Sequence, residues 1–139
     1  MAIFLNNKVG FKINSVDLSD HVTAFSLSRQ ADQLEVTAMG DTAHKFVTGL
    51  SADTITVSFL NDTAAGSVLA TLQAAYGTTV SFSALQDKSA AVSATNKLYT
   101  GTILVDNLTD INGAVADEAT FDITFTCNST TALASTGTF

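Results

Sequence analysis

The sequence predicts a mainly β domain, an antiparallel β-sandwich or barrel-like fold with one flanking α-helix. Three observations lead to this class. Most segments alternate apolar and polar residues with a period of two, which is typical of half-buried antiparallel strands. The polar positions are mostly serine and threonine, and threonine is β-branched and favours extended backbone. Only one segment has its apolar residues at helical spacing instead.

Seven alternating runs predict the strands, from the first run near residue 9 to the last near residue 127. In each run the apolar positions define the face that we expect to be buried. Cys127 lies on the apolar side of the last run, so we interpret it as a small core residue. The apolar positions are Val9, Phe11 and Ile13; Phe25 and Leu27; Leu34, Val36 and Ala38; Ile55, Val57 and Phe59; Val80 and Phe82; Tyr99, Gly101, Ile103 and Val105; Phe121, Ile123, Phe125 and Cys127.

The helix is predicted over residues 63–76, where apolar residues recur at the spacing of one helical face. Asn61 or Asp62 can cap its start, and Gly77 stands where helices commonly end in a left-handed turn. At 1.5 Å per residue such a helix is about 20 Å long, which suits packing across a sheet. Its apolar positions are Ala65, Val68, Leu69, Leu72, Ala75 and Tyr76.

Three long connections separate these elements. Residues 39–50 (MGDTAHKFVTGL) are predicted to form a long loop between two strands, and residues 85–97 form a second connection. Residues 106–118 include the turn signal Asn112-Gly113. Loops of this length are usually functional or become ordered by partners.

The chain of 139 residues is predicted to be a single β domain spanning 1–139. We expect an N-terminal arm, residues 1–7, and a C-terminal tail, residues 129–139, to be ordered by assembly. No signal peptide and no apolar run of about 20 residues is present, so we expect a soluble protein made in the cytoplasm. One cysteine cannot form an internal disulfide bond.

The charge balance argues against a nucleic-acid-binding protein. The chain has 13 acidic and 6 basic residues, a net charge of −7, and only 14% charged residues in total. Binding to phosphates needs clustered Lys and Arg, which this chain lacks.

The sequence offers little for catalysis. His21 and His44 are the only histidines, and although acids lie near each, no Gly-x-Ser-x-Gly motif accompanies them. Two separated histidines and one cysteine do not make a metal site, and the acids between residues 106 and 118 lack calcium-loop spacing. The sequence therefore predicts no catalytic residues, no metal and no cofactor. A small hydrolase using His21 or His44 is the enzymatic alternative.

The predicted strand edges carry little protection against pairing. The chain contains no proline and few lysines, the residues with which monomeric proteins guard exposed edges. We expect copies of the chain or other partners to cover these edges. The alternative is that Thr and Asp on the outer faces suffice for solubility.

The order of the predicted elements is strands, a long β-to-β loop, one helix after the strand Thr54–Leu60, then more strands. Six segments accompany this order: 16–22 (VDLSDHV), 35–43 (EVTAMGDTA), 49–50 (GL), 59–67 (FLNDTAAGS), 91–96 (AVSATN) and 99–101 (YTG). Order and segments together resemble the tail tube proteins (major tail proteins) of long-tailed bacteriophages, and the local sequence also resembles small actinophage-type tail and virion proteins. The resemblance covers roughly residues 9–127, and the chain is shorter than many members of that family.

The resemblance implies a β-sandwich or barrel-like tail tube fold that assembles into hexameric rings, stacked into a tube. In that family the long early loop reaches a neighbouring subunit or ring, and the terminal segments often make inter-ring contacts. The implied contact candidates are Met39, Gly40, Asp41, His44, Lys45, Phe46 and Leu50 in the loop, with Phe4, Leu5 and Phe139 near the termini.

The resemblance also implies the partners and the location. They are other copies of this chain and other tail proteins, namely the tape measure, tail terminator and distal tail proteins, in the tail of a virion. Genomic DNA would pass without specific binding, and an acidic lumen would repel its phosphates. The alternative is another virion part, such as a capsid decoration protein or a tail adaptor.

Overall fold

The computed structural model describes residues 8–139, and these residues form ten strands and one α-helix. A single 3-10 turn, Ser19–His21, precedes the third strand. The prediction of a mainly β, antiparallel fold with one helix is confirmed. The elements are β1 (Gly10–Ile13), β2 (Val16–Asp17), β3 (Val22–Ser28), β4 (Ala31–Glu35), β5 (Phe46–Ser51), β6 (Thr54–Leu60), α1 (Val68–Ala75), β7 (Thr79–Leu85), β8 (Leu98–Leu104), β9 (Thr120–Cys127) and β10 (Ala132–Ala134).

Eight strands form one antiparallel sheet in the order β2-β1-β7-β8-β9-β6-β3, with β10 paired to β8. The sheet bends at β8, which pairs with β9 only through Ile103 and Leu104 and with β10 nearer its start. The two ends of the sheet then face each other, since the rings of Phe11 in β1 and Phe25 in β3 lie 4.9 Å apart. The result is a sandwich-like fold with one core.

The core follows the predicted alternation. In β6, the side chains of Ile55, Val57 and Phe59 are fully buried, and the residues between them face outward. Their registered partners on β9 are Phe125 and its apolar neighbours, and these are buried too. Burying one such side chain stabilises the fold by roughly 1.5–3 kcal/mol, so this pair of strands anchors the domain.

The helix is shorter than predicted. It spans Val68–Ala75 rather than residues 63–76. Gly66 has a left-handed φ of 76°, which a helix cannot include. Asp62 organises this turn instead, because its carboxylate accepts a hydrogen bond from the Ser67 hydroxyl at 2.7 Å. The helical spacing of the alanine at residue 65 is therefore coincidental.

The position of the helix agrees with the prediction. Val68, Leu72 and Ala75 are buried in the core cluster. Gly77 follows the helix with a left-handed φ of 79°, as expected for a helix end. Its N–H donates to the carbonyl of Val105 at 2.6 Å, which ties the helix end to the end of β8.

The predicted long loop 39–50 needs correction. Its second half belongs to β5, which pairs with β4, and the two strands form a small sheet of their own. The preceding strand covers Ala31–Glu35, whereas the apolar alternation had placed it at residues 34–38. Nearly every residue of both strands is exposed, so no buried face imposes a period of two on the sequence.

The C-terminal tail, residues 129–139, makes contacts within its own chain, and its ordering by assembly stays a prediction. The short strand β10 pairs with β8. The ring of Phe139 lies against Gly10, and the Lys12 ammonium sits 4.5 Å from the ring centroid. The N-terminal arm, including Phe4 and Leu5, lies outside the described residues.

Candidate interaction surface

The pair β4–β5 forms a hairpin, residues 31–51, that stands apart from the eight-stranded sheet. We refer to these residues as the hairpin. The register pairs Leu34 with Val47 and Glu35 with Phe46, and a bulge interrupts the pairing between Ala31 and Gln33. A hairpin without a packed face is at best marginally stable on its own, so a surface of this kind is suited to packing against something else.

The hairpin concentrates exposed apolar side chains. Of the ten large hydrophobic residues that are exposed within residues 8–139, six lie on it. Met39 at its tip is fully exposed and Leu50 is 80% exposed. Clustered exposed apolar side chains mark interaction surfaces more often than isolated ones. The six residues are Leu34, Val36, Met39, Phe46, Val47 and Leu50.

The structure brings together all seven contact candidates that the sequence placed between residues 39 and 50. Phe139 lies elsewhere, with its ring against Gly10 of β1. Sequence reasoning missed Leu34, Val36 and Val47 as surface residues, because two of them belong to an apolar alternation that predicted a half-buried strand. The exposure of all three followed only from the separation of the hairpin from the core.

Polar contacts order the tip of the hairpin. The Asp41 carboxylate accepts the Ala38 N–H at 2.8 Å and pairs with the Lys45 ammonium at 2.7 Å. These contacts hold the pKa of Asp41 below its usual value, and the hydrogen bond from Lys45 has the largest effect. Gly40 takes the left-handed conformation that the turn requires, with a φ of 92°.

His44 belongs to the same network. Its Nδ1 lies 2.5 Å from Oε2 of Glu35, and the same carboxylate oxygen accepts the Thr37 hydroxyl at 2.9 Å. The Thr37 oxygen in turn accepts the Lys45 N–H at 2.9 Å. The network links the two strands across the tip, so His44 has a structural partner rather than a nucleophile beside it.

Asp53 fixes the root of the hairpin. Its side chain is 3% exposed, and its two carboxylate oxygens accept the N–H groups of Gln30, at 3.2 Å, and Thr131, at 3.0 Å. Burial alone would raise the pKa of Asp53, but these hydrogen bonds and the Arg29 charge together hold it below its usual value. One carboxylate therefore joins the hairpin, β6 and the C-terminal tail.

His21 also serves as a structural link. Nδ1 lies 2.9 Å from Asp20 and Nε2 lies 2.9 Å from Asp62. Both ring nitrogens therefore face carboxylate oxygens. Neither faces a serine hydroxyl, and the geometry gives the hydrolase alternative no support.

Cys127 is half-buried beside the core, close to the expected position. Burial raises the pKa of its thiol, with the charge of Asp53 acting in the same direction. The thiol is therefore a poor nucleophile at neutral pH.

The described part of the chain offers neither a cluster of metal ligands nor a membrane-spanning helix. Within residues 8–139, no three or more His, Cys, Asp or Glu side chains come together to hold a metal ion. No helix in the same residues is long and apolar enough to cross a membrane.

A second exposed segment spans residues 106–118, between β8 and β9. Ile111 is 94% exposed and Val115 is fully exposed. The segment is tied to the body at Asp110, which accepts the Gln73 amide at 2.9 Å, and at Leu108, which packs on the core.

The edge strand β3 lacks the usual protection. It pairs only with β6, and its seven residues, VTAFSLS, include no proline and no charge. A long uncharged edge presents a row of backbone donors and acceptors to another strand. The opposite edge, β2, has two residues, and Asp17 there is paired with Lys88 at 2.6 Å.

Comparison with known proteins shows similarity of fold alone. Neither a protein-family model nor a curated protein matches this sequence. Among solved structures, the chain is similar to one in a structure described as "Virion of native gene transfer agent (GTA) particle". The TM-score is 0.71 at 12% sequence identity, over 95% of this chain and 99% of that chain. This protein therefore has the fold of a chain from a virus-like particle, over essentially the full length of both.

Proposed function

We propose that this chain is a non-enzymatic virion structural protein that self-assembles into stacked hexameric rings, which form a phage tail tube through which DNA passes. The hairpin carries the proposal. It forms a sheet separate from the main one, it is ordered at its tip, and it carries six large apolar side chains that the rest of residues 8–139 leaves exposed. Burial against a second copy would give each of these side chains the same gain as burial in a core.

The sheet edges support assembly in closed rings. The β3 edge is long, uncharged and open on one side. Rings remove such edges, because every subunit lies against the next one. Stacking of rings through the hairpin then gives a tube.

The outer face of the sheet suits a conduit for DNA. Ser26, Thr56 and Thr124 lie side by side across β3, β6 and β9, and all three are exposed. Asp122 adds a carboxylate on the same face. A surface of hydroxyls and acids offers phosphates no cation to bind, so DNA would slide along it.

The fold similarity supports a role in a virion. The similar chain belongs to a particle described as a gene transfer agent virion, and the two folds agree over nearly their whole length. We therefore place the protein in the tail of a virion, in contact with tape measure, tail terminator and distal tail proteins.

The test is assembly of the purified protein, followed by negative-stain microscopy and sedimentation velocity. The wild type should form rings or tubes as its concentration rises. The triple variant Met39→Ser, Phe46→Ser, Leu50→Ser should need a concentration at least tenfold higher, with an unchanged melting temperature. The control variant Ile111→Ser, Val115→Ser removes exposed apolar side chains from residues 106–118 and should assemble like the wild type.

Three outcomes would contradict the proposal. A wild type that stays monomeric under all conditions would rule out a tube protein. Stable trimers without rings would favour a capsid decoration protein, and a single ring that never stacks would favour a tail adaptor.

A further inference from the structure

A cleft of about 410 Å³ lies beside the root of the hairpin, between β3 and the β7–β8 pair. We refer to it as the root cleft. Its apolar lining includes Val9, Phe25, Leu27 and Tyr99, and its one charged lining residue is Arg29. The cleft exists because the curled sheet brings β3 towards β7 and β8 without a pairing between them.

The hairpin cannot fill the root cleft of its own chain. Arg29 in the cleft is two residues before Ala31, where the hairpin begins. Met39 lies at the other end, up to about 26 Å from Ala31 along an extended chain, at roughly 3.3 Å per residue. The polar network at the tip holds the two strands together, so the tip does not fold back.

The tip and the root cleft complement each other in chemistry. The tip of the hairpin, residues 35–45, carries Glu35 and Asp41 against Lys45, a formal net charge of −1 with His44 counted as neutral, and the cleft carries the positive charge of Arg29. Met39 is unbranched and polarizable, and such side chains fill irregular apolar gaps well. The cleft is larger than one methionine side chain, so it has room for the flanking residues of the tip as well.

We propose that the hairpin tip of one copy docks into the root cleft of the next copy, with Met39 in the apolar part and the acidic flank of the tip beside Arg29. This rests on the proposed self-assembly and specifies which two surfaces meet. Each copy gives one tip and receives one tip. The contact is heterologous, so it propagates from copy to copy instead of closing a symmetric dimer.

The test is disulfide trapping between two chains, both carrying Cys127→Ala. One chain carries Met39→Cys. The other carries Leu27→Cys, at a half-buried position in the lining of the root cleft, on the same face of β3 as Phe25. After mixing under assembly conditions and mild oxidation, we expect a cross-linked dimer at a yield at least tenfold above that of the control pair, in which Ile111→Cys replaces Met39→Cys.

The charge contact has its own measurement. Arg29→Glu should lower the cross-linking yield several-fold and raise the concentration needed for assembly. Both are measured well below the melting temperature, which should fall somewhat because Arg29 also stabilises the Asp53 carboxylate. Arg29→Lys keeps the charge and should retain most of the yield.

The outcomes separate this proposal from the proposed tube. Tubes without the cross-link between positions 39 and 27 would overturn the docking and leave the tube standing. The cross-link in short oligomers that never form rings or tubes would support the docking and overturn the tube. A stronger cross-link from Phe4→Cys than from Met39→Cys would show that residues 1–7 occupy the cleft, and would overturn the docking.

Discussion

Single buried polar residues hold the parts of this molecule together. Asp53 is the clearest case, because one carboxylate accepts backbone hydrogen bonds from the root of the hairpin and from the C-terminal tail. Its own carbonyl also accepts the Cys127 N–H at 3.0 Å. Three segments far apart in sequence thus meet at Asp53. Its local sequence, a single aspartate before an apolar strand, indicates no more than a turn.

Asp53→Asn should destabilise the protein by about 1–2 kcal/mol, because the amide that replaces one oxygen cannot accept a hydrogen bond from an N–H group. Urea unfolding at pH 7 would measure this loss. Asp32→Asn, on the exposed hairpin, is the matched control and should change stability by less than about 0.5 kcal/mol.

The same variant should respond less to acid. The pKa of Asp53 is lower in the folded chain than the usual 3.8, so its contribution is complete above that value. The contribution is lost as the pH falls through the folded-state pKa. Between pH 7 and pH 3, Asp53→Asn should therefore lose less stability than the wild type, and an equal loss in both proteins would contradict this role.

Gly101 marks a close approach inside the sheet. A Cβ atom there would lie 3.0 Å from Cε1 of Phe82 and 3.1 Å from the Ser129 hydroxyl. Phe82 is fully buried and cannot move aside, so Gly101→Ala should cost about 1–3 kcal/mol in thermal unfolding. The control Gly113→Ala meets no atom within 4 Å and should leave the melting temperature unchanged or slightly higher.

Individual elements differ in how well local sequence describes them. The strand Thr54–Leu60 was predicted with its observed bounds, because one of its faces is wholly buried and the other is polar up to its last residue. The two strands of the hairpin were predicted at the wrong positions. Both of their faces are exposed, so no buried face imposes a two-residue period on their sequence. The helix was found, but its start was not, since a side-chain hydrogen bond and one left-handed glycine decide it.

At the helix, stability should come from packing rather than from the helix itself, because eight residues are too few for an isolated helix in water. Leu72 is fully buried, so Leu72→Ala should destabilise the protein by about 2–5 kcal/mol. Ala74→Ser, on the exposed face, is the control and should cost about 0.5 kcal/mol. Chemical denaturation of both variants would show whether the helix is part of the cooperative core.

The whole molecule combines a strong negative charge with an apolar contact surface. Every copy carries a net charge of −7, so copies repel one another, and in the proposed assembly the hairpin would supply the attraction. Near physiological ionic strength, salt screens the repulsion between charges that are more than about 8–10 Å apart, and it leaves apolar contacts in place.

Raising NaCl from 50 to 500 mM should therefore lower the concentration at which the wild type assembles. Light scattering during a concentration series would measure the shift. The hairpin triple variant should gain little from salt, because its attraction is removed. Dissociation of wild-type assemblies by salt would instead mean that ion pairs between copies dominate the contact.

The sequence by itself determined the β class, the single helix and most of the core, because a two-residue period fixes which face of each strand leaves water. It also pointed to residues 39–50 as a contact segment, through a family resemblance. Only the tertiary structure decided that these residues form half of a separate hairpin, that Asp53 anchors its root, and that a cleft opens beside it. These features arise where segments distant in sequence meet, at the bend of the sheet and at its unpaired end, and no local pattern of residues encodes such meetings.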